Sequence, residues 1–117
     1  LSIYYNITSS ADPKLGEEFK LVFDEKVCIY NENLTITFKE VLEDSRCPEG
    51  VTCIWAGNAQ IALVLNDNEK TLNTYLEPQE VTIADYRIEL ISVSPYPVYE
   101  QDIAEEDYLA KLVVSKF

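Results

Sequence analysis

The sequence predicts an all-β fold, an antiparallel β-sandwich of about seven to nine short strands, with a partly open β-barrel as the alternative. Three observations carry that prediction. Apolar residues recur at every second position in short runs, the period of strands with one buried face. Asn, Asp, Pro and Gly cluster between the runs, where each supplies a turn conformation. No stretch holds the apolar period of a helix longer than a turn or two. At 117 residues the chain suffices for one independent core. It divides into a loosely ordered N-terminal segment, residues 1–15, and a single sandwich domain, residues 16–117.

Ile3, Tyr4, Tyr5 and Ile7 suit an edge strand, and Ser9 to Pro13 reads as linker. Phe19, Leu21 and Phe23 then alternate with Lys20 and Val22, and Asp24-Glu25-Lys26 leads into Val27-Cys28-Ile29-Tyr30, a hairpin by pattern. Cys28, among apolar neighbours, is expected to be a buried, inert free thiol. Asn31-Glu32-Asn33 is the next turn, and Leu34, Ile36 and Phe38 against Thr35, Thr37 and Lys39 give the cleanest alternation in the chain. At Glu40-Val41-Leu42 the alternation slips by one residue, which predicts a bulge.

Ile61, Leu63 and Leu65, with Ala62 and Val64 between them, are apolar enough for a central strand, and Asn66-Asp67-Asn68-Glu69 is a hairpin loop without the glycine and spacing of an EF-hand. Lys70 to Tyr75 is a short strand, Leu76 to Glu80 a connection, and Val81-Thr82-Ile83 a brief strand. Tyr86, Ile88 and Leu90 resume the alternation until Pro95-Tyr96-Pro97, an extended stretch in which either X–Pro bond is open to the cis form. Glu100 to Asp107 is acidic and suits a single helical turn, and Tyr108, Ala110, Leu112 and Val114 form the last strand.

The chain is organised around the segment from Asp44 to Ala59, which holds Cys47, Cys53 and the single tryptophan, Trp55. Pro48 and Gly50 lie between the cysteines and let so short a stretch fold back, so a Cys47–Cys53 disulfide is expected, stabilising by roughly 2 kcal/mol on the chain-entropy model. Zinc ligation is disfavoured because the chain has no histidine and no repeated Cys pair, and a thioredoxin-like centre needs two intervening residues where five are present. Ile54-Trp55-Ala56-Gly57 reads as strand entry, with Trp55 a core or half-core residue over the disulfide and Gly57 marking a bulge or a close backbone approach.

Asp-Ser-Arg-Cys-Pro (44–48), then Val51-Thr52-Cys53-Ile54-Trp55-Ala56-Gly57-Asn58-Ala59, resembles the signature of a group of uncharacterised small secreted proteins and lipoproteins of bacteria. The likeness runs from about Leu34 through Leu90 to Pro97 and Asp107 to Leu112, and Cys28 lies outside it. The resemblance implies an exported, β-rich domain located in the periplasm, on the outer membrane or outside the cell. It brings no functional residue with it.

Net charge is −12, with acidic residues spread along the chain. Such a surface repels phosphate backbones and anionic lipid, which disfavours nucleic acid as a partner, and it serves solubility before recognition. No run reaches the length of a transmembrane helix, and no basic-then-apolar signal opens the sequence; a signal or lipid anchor removed from a precursor is compatible with it. Without histidine, Ser-His-Asp and Cys-His catalysis are absent, and three glycines form no phosphate cradle. Acidic pairs are too abundant to single out a carboxylate-based hydrolase, so the chain is expected not to be an enzyme and to need no cofactor, calcium aside.

The favoured function is a non-catalytic exported domain, a monomer or weak homo-oligomer, that binds protein or glycan or is structural at the bacterial cell envelope. Arg46, Tyr96 and Tyr99 form its candidate binding surface. One alternative is a protease inhibitor that presents the Cys47–Cys53 loop, with Arg46 entering an acidic specificity pocket; Arg46 pairing with Asp44 to brace the loop is the plainer role. Another is a calcium-stabilised adhesion-type module using Asp102, Glu105, Glu106 and Asp107 as metal ligands.

Overall fold

The computed structural model describes residues 12–117, so the candidate edge strand at Ile3 to Ile7 lies outside the described residues. Eight strands follow in order: β1 (Glu18–Val22), β2 (Lys26–Cys28), β3 (Thr35–Asp44), β4 (Ala59–Leu65), β5 (Asn68–Asn73), β6 (Glu80–Ile83), β7 (Tyr86–Ser94) and β8 (Leu109–Lys116). They make two antiparallel four-stranded sheets, ordered β1-β8-β7-β6 and β2-β3-β4-β5. All pairs are consecutive in sequence except β1 with β8. The chain crosses between sheets at β1–β2 and at β5–β6 without pairing there, so the sheets stack as a sandwich and no barrel closes.

The alternating residues meet between the sheets. Ile36, Phe38, Ile61 and Leu63 of one sheet and Leu21, Ile88, Leu112 and Val114 of the other are fully buried. Ala62, on the opposite side of β4, is buried as well, which is why that run reads as apolar on both faces. The slip expected after Lys39 is present as register shifts at Phe38/Glu40 and Val41/Glu43 against β4. Asn66 and Asp67, both at positive φ (48° and 77°), turn β4 into β5, and the Asn66 side chain accepts the Thr35 amide at 2.9 Å. The acidic stretch contributes one 3₁₀ turn, Glu105–Asp107.

Asp24-Glu25-Lys26 does not form a hairpin. β1 pairs with β8 and β2 with β3, so this turn carries the chain from one sheet to the other. The Asp24 amide donates to the Phe38 carbonyl at 2.7 Å, and the Phe23 ring meets that of Phe38 edge-on at 5.7 Å. Alternation reports which residues face the core, and here it is satisfied by neighbours far away in sequence. Cys28 is exposed rather than buried, because its neighbours Val27, on β2, and Ile29, just after it, are the residues that face inward. Of the N-terminal segment, Pro13 accepts the Tyr30 amide at 2.7 Å, and Leu15 packs against the core.

This topology decides where the long connections go. Direction reverses at every strand, so β3–β4, β5–β6 and β7–β8 all connect at one end of the sandwich, the side on which the short β1–β2 turn also closes beside Tyr108, and β2–β3, β4–β5 and β6–β7 turn at the other. The first of these connections contains the disulfide.

Candidate functional site

The β3–β4 hairpin continues past its sheet. The Ser45 amide donates to the Asn58 carbonyl at 2.7 Å and the Cys47 amide to the Ala56 carbonyl at 3.1 Å. Gly57 lies at φ +75°, and a Cβ there would sit 1.9 Å from the Ser45 carbonyl oxygen, so the backbones approach as only glycine permits. At the tip Cys47 and Cys53 are joined, with Cα atoms 6.0 Å apart.

Two buried polar groups tie this tip to the rest of the loop end. Arg46 is 7% exposed, and its guanidinium grips the Asp44 carboxylate in a bidentate pair, Nε to Oδ1 and Nη2 to Oδ2, both 2.7 Å. It also donates to the carbonyls of Val93 (2.6 Å) and Pro95 (3.0 Å), at the end of β7, and its charged carbon lies 5.3 Å from the Tyr96 ring centre. The Tyr108 hydroxyl donates to Asp44 Oδ2 at 2.7 Å. Burial pushes the Asp44 carboxyl up, but the hydrogen bonds from Arg46 and Tyr108 and the Arg46 charge outweigh it and hold Asp44 below its ordinary range. Burial, then the hydrogen bond and charge of Asp44, push the Tyr108 phenol up to about 12. Asn58 is the second tie: its Nδ2 donates to Asn73 at 2.9 Å, and its Oδ1 accepts the amides of Tyr75 and Leu76. The Glu49 amide donates to the Pro97 carbonyl at 3.0 Å and the Tyr99 amide to the Glu49 carbonyl at 3.1 Å. The three connections are thus hydrogen-bonded into one unit.

That unit exposes apolar side chains. Ile54 is fully exposed and Trp55 59% exposed at the tip. Val98 and Tyr99 on β7–β8, and Tyr75 and Leu76 on β5–β6, are exposed as well. A recess of about 240 Å³ lies among them, lined by Ala56, Gly57, Tyr75, Ile91, Tyr96 and the Arg46 side chain. A second, more polar recess of about 360 Å³ is lined by Asp44, Pro97, Gln101, Asp102, Ile103 and Tyr108.

Cys47 and Cys53 are bonded as the sequence indicates, and Tyr96 and Tyr99 are exposed at this end. Two expectations are corrected. Arg46 is not a surface residue: Asp44 and two backbone carbonyls enclose it, in the bracing arrangement the spacing also allowed. Trp55 does not roof the disulfide as a core residue, because the hairpin tip runs beyond both sheets and finds no opposing face to pack on. Asp102, Glu105, Glu106 and Asp107 are all exposed, and among the described residues no group of three or more His, Cys, Asp or Glu side chains is placed to hold a metal ion. Asn58, Tyr75 and Tyr108 belong to the site without having been singled out. Their partners are 15 to 64 residues away along the chain, a separation that leaves no local pattern.

No family model matches the sequence, and no curated protein or solved structure matches it significantly.

Proposed function

We propose that the loop end is a protein-binding surface, and that the chain is a non-catalytic exported domain whose sandwich serves to hold it. The observation that carries this reading is the exposure of Ile54 and Trp55 on a tip that is braced rather than loose. Exposed Trp, Tyr and Ile supply contact area with few rotatable bonds, and a disulfide with a buried Arg46–Asp44 pair behind them lowers the ordering cost of binding. The recess beside Tyr75 and Tyr96 is of a size for one partner side chain.

A protein partner is favoured over a glycan because the strongest polar group lining the recess, Arg46, already spends its hydrogen bonds within the chain. The same burial keeps Arg46 from entering a protease pocket. Export is supported by the disulfide, which persists in oxidising compartments. Among the described residues no helix is long and apolar enough to cross a membrane. A lipid anchor on the precursor and a place at the bacterial envelope remain part of the proposal.

A photo-reactive residue placed at Val51 tests the reading against one placed at Asn31, in a turn at the opposite end. Adducts with polypeptide partners are expected at position 51 and not at 31, and Ile54→Ser/Trp55→Ser should abolish them. Equal adducts at both ends, or adducts that survive the double substitution, would refute it.

A further inference from the structure

The charges of this chain are not distributed as its composition suggests. The three connections at the loop end carry Glu49, Glu77, Glu100, Asp102, Glu105, Glu106 and Asp107, every one of them exposed. Among the described residues none of these seven is in an ion pair; of the thirteen acids elsewhere other than Asp44, four pair with lysine or arginine, Glu18, Glu32, Glu69 and Glu80, and nine do not. The only base in the three connections is Arg46, which is buried and neutralised by Asp44. Of nine Lys and Arg residues, the other eight lie on strands or in the N-terminal segment, and residues 1–11 contain no charged side chain at all. The end that exposes Trp55, Tyr75, Tyr96 and Tyr99 therefore carries seven of the chain's twelve net negative charges, with no base of its own beyond the one Asp44 neutralises.

From this juxtaposition of uncompensated carboxylates with exposed aromatic and aliphatic side chains, we infer that the partner of the loop end is a cationic polypeptide segment, one that presents Lys or Arg beside apolar residues. The inference rests on the protein-binding reading above and narrows it. Electrostatic complementarity across a rim steers encounter and excludes partners of the wrong sign. An acidic protein, or a second copy of this chain, is repelled by the seven carboxylates. A cationic side chain is attracted twice, by the carboxylates and by the faces of the exposed rings, which carry negative π density. The ring of Tyr96 already takes Arg46 in this way from within the chain. The carboxylates are dispersed over three connections rather than converging, so they suit several monovalent side chains spread along a segment and not a single divalent ion.

Trp55, the only tryptophan, is a reporter placed within the surface. Its emission is followed while the protein is titrated with a short synthetic peptide of alternating Lys and Leu, and with counterparts in which Ser or Glu replaces Lys. The Lys peptide is expected to shift the emission to the blue and to bind at least tenfold more tightly than the Ser peptide, and the Glu peptide to give no shift. Glu49→Lys/Glu100→Lys should weaken the Lys peptide about tenfold, while Glu17→Lys/Asp85→Lys, an equal change in net charge away from the loop end, should weaken it less than about twofold at physiological salt, where the screening length is ~8 Å. Wild-type affinity should also fall steeply with added salt, a readout independent of any variant's folding. Equal weakening by the two charge reversals would show bulk attraction only and overturn the inference. Equal affinity for the Ser and Lys peptides would overturn it and leave the protein-binding reading standing. If no peptide shifts the emission, the cationic partner is refuted, and the cross-linking comparison at positions 51 and 31 decides the broader reading separately.

Discussion

Asp44→Asn removes the charge at the centre of the loop end while keeping its shape. The Arg46 side chain is 6% exposed and that of Asp44 13%, so the substitution leaves a guanidinium deprived of its counterion where water hardly reaches. Breaking a buried pair on one side costs about 3–5 kcal/mol; the low end applies because Arg46 keeps the carbonyls of Val93 and Pro95. For a domain of this length about 1 kcal/mol moves the melting point by about 4 °C, so about 3 kcal/mol corresponds to a fall of about 12 °C, read by circular dichroism. Replacing both partners by apolar side chains of similar size, Asp44→Leu/Arg46→Met, removes the unpaired charge and should recover about half of that loss or more. A single variant melting within about 2 °C of wild type, or a double variant less stable than the single one, would refute the view that this pair braces the tip.

Four further outcomes follow from the same geometry. The folded pKa of Asp44 lies below its unfolded value near 4, so its contribution to stability is complete above about pH 4 and is lost as pH falls through the lowered value, which Asp44→Asn should abolish in an acid-unfolding series. The Tyr108 phenol runs the other way. Its folded pKa of about 12 lies above the unfolded value, so its contribution is present below about pH 10 and lost as pH rises toward 12, and phenolate absorbance should show a late-titrating component, removed by Tyr108→Phe, that comes earlier in Asp44→Asn. Gly57→Ala forces a Cβ against the Ser45 carbonyl at a positive φ and should cost about 3 kcal/mol in urea unfolding; a loss under about 1 kcal/mol would show that the hairpin neck yields easily. Cys47→Ser/Cys53→Ser should lower the melting point by about 8 °C and raise the mobility of Trp55 in fluorescence anisotropy, whereas a native thiol assay on the unaltered protein should find one reactive group, Cys28.

Much of this fold was written in local pattern. The two-residue period named the inward faces of β3, β4, β7 and β8, since a side chain's face relative to its own strand depends only on parity. The slip after Lys39 announced its bulges, Asn66-Asp67 its tight turn, and Gly57 its close backbone contact, each because one residue type suits one backbone conformation. The six-residue offset from Cys47 to Cys53, with Pro48 and Gly50 between, was enough for the disulfide.

What parity cannot say is whether anything stands opposite a face. Trp55 and Ile54 are as apolar as the core, yet they are exposed because their hairpin outruns the sheet across from it. Arg46 is charged, yet it is buried because the carbonyls of Val93 and Pro95, at the end of β7, and the carboxylate of Asp44, two residues before it, accept its hydrogen bonds. Phe23 faces the core as its alternation indicates, but it meets Phe38 of the other sheet because the chain crosses between sheets rather than turning back in one. The gathering of three acidic, aromatic connections at one end follows from the antiparallel winding alone, and it is visible only once the strands have been assigned their neighbours.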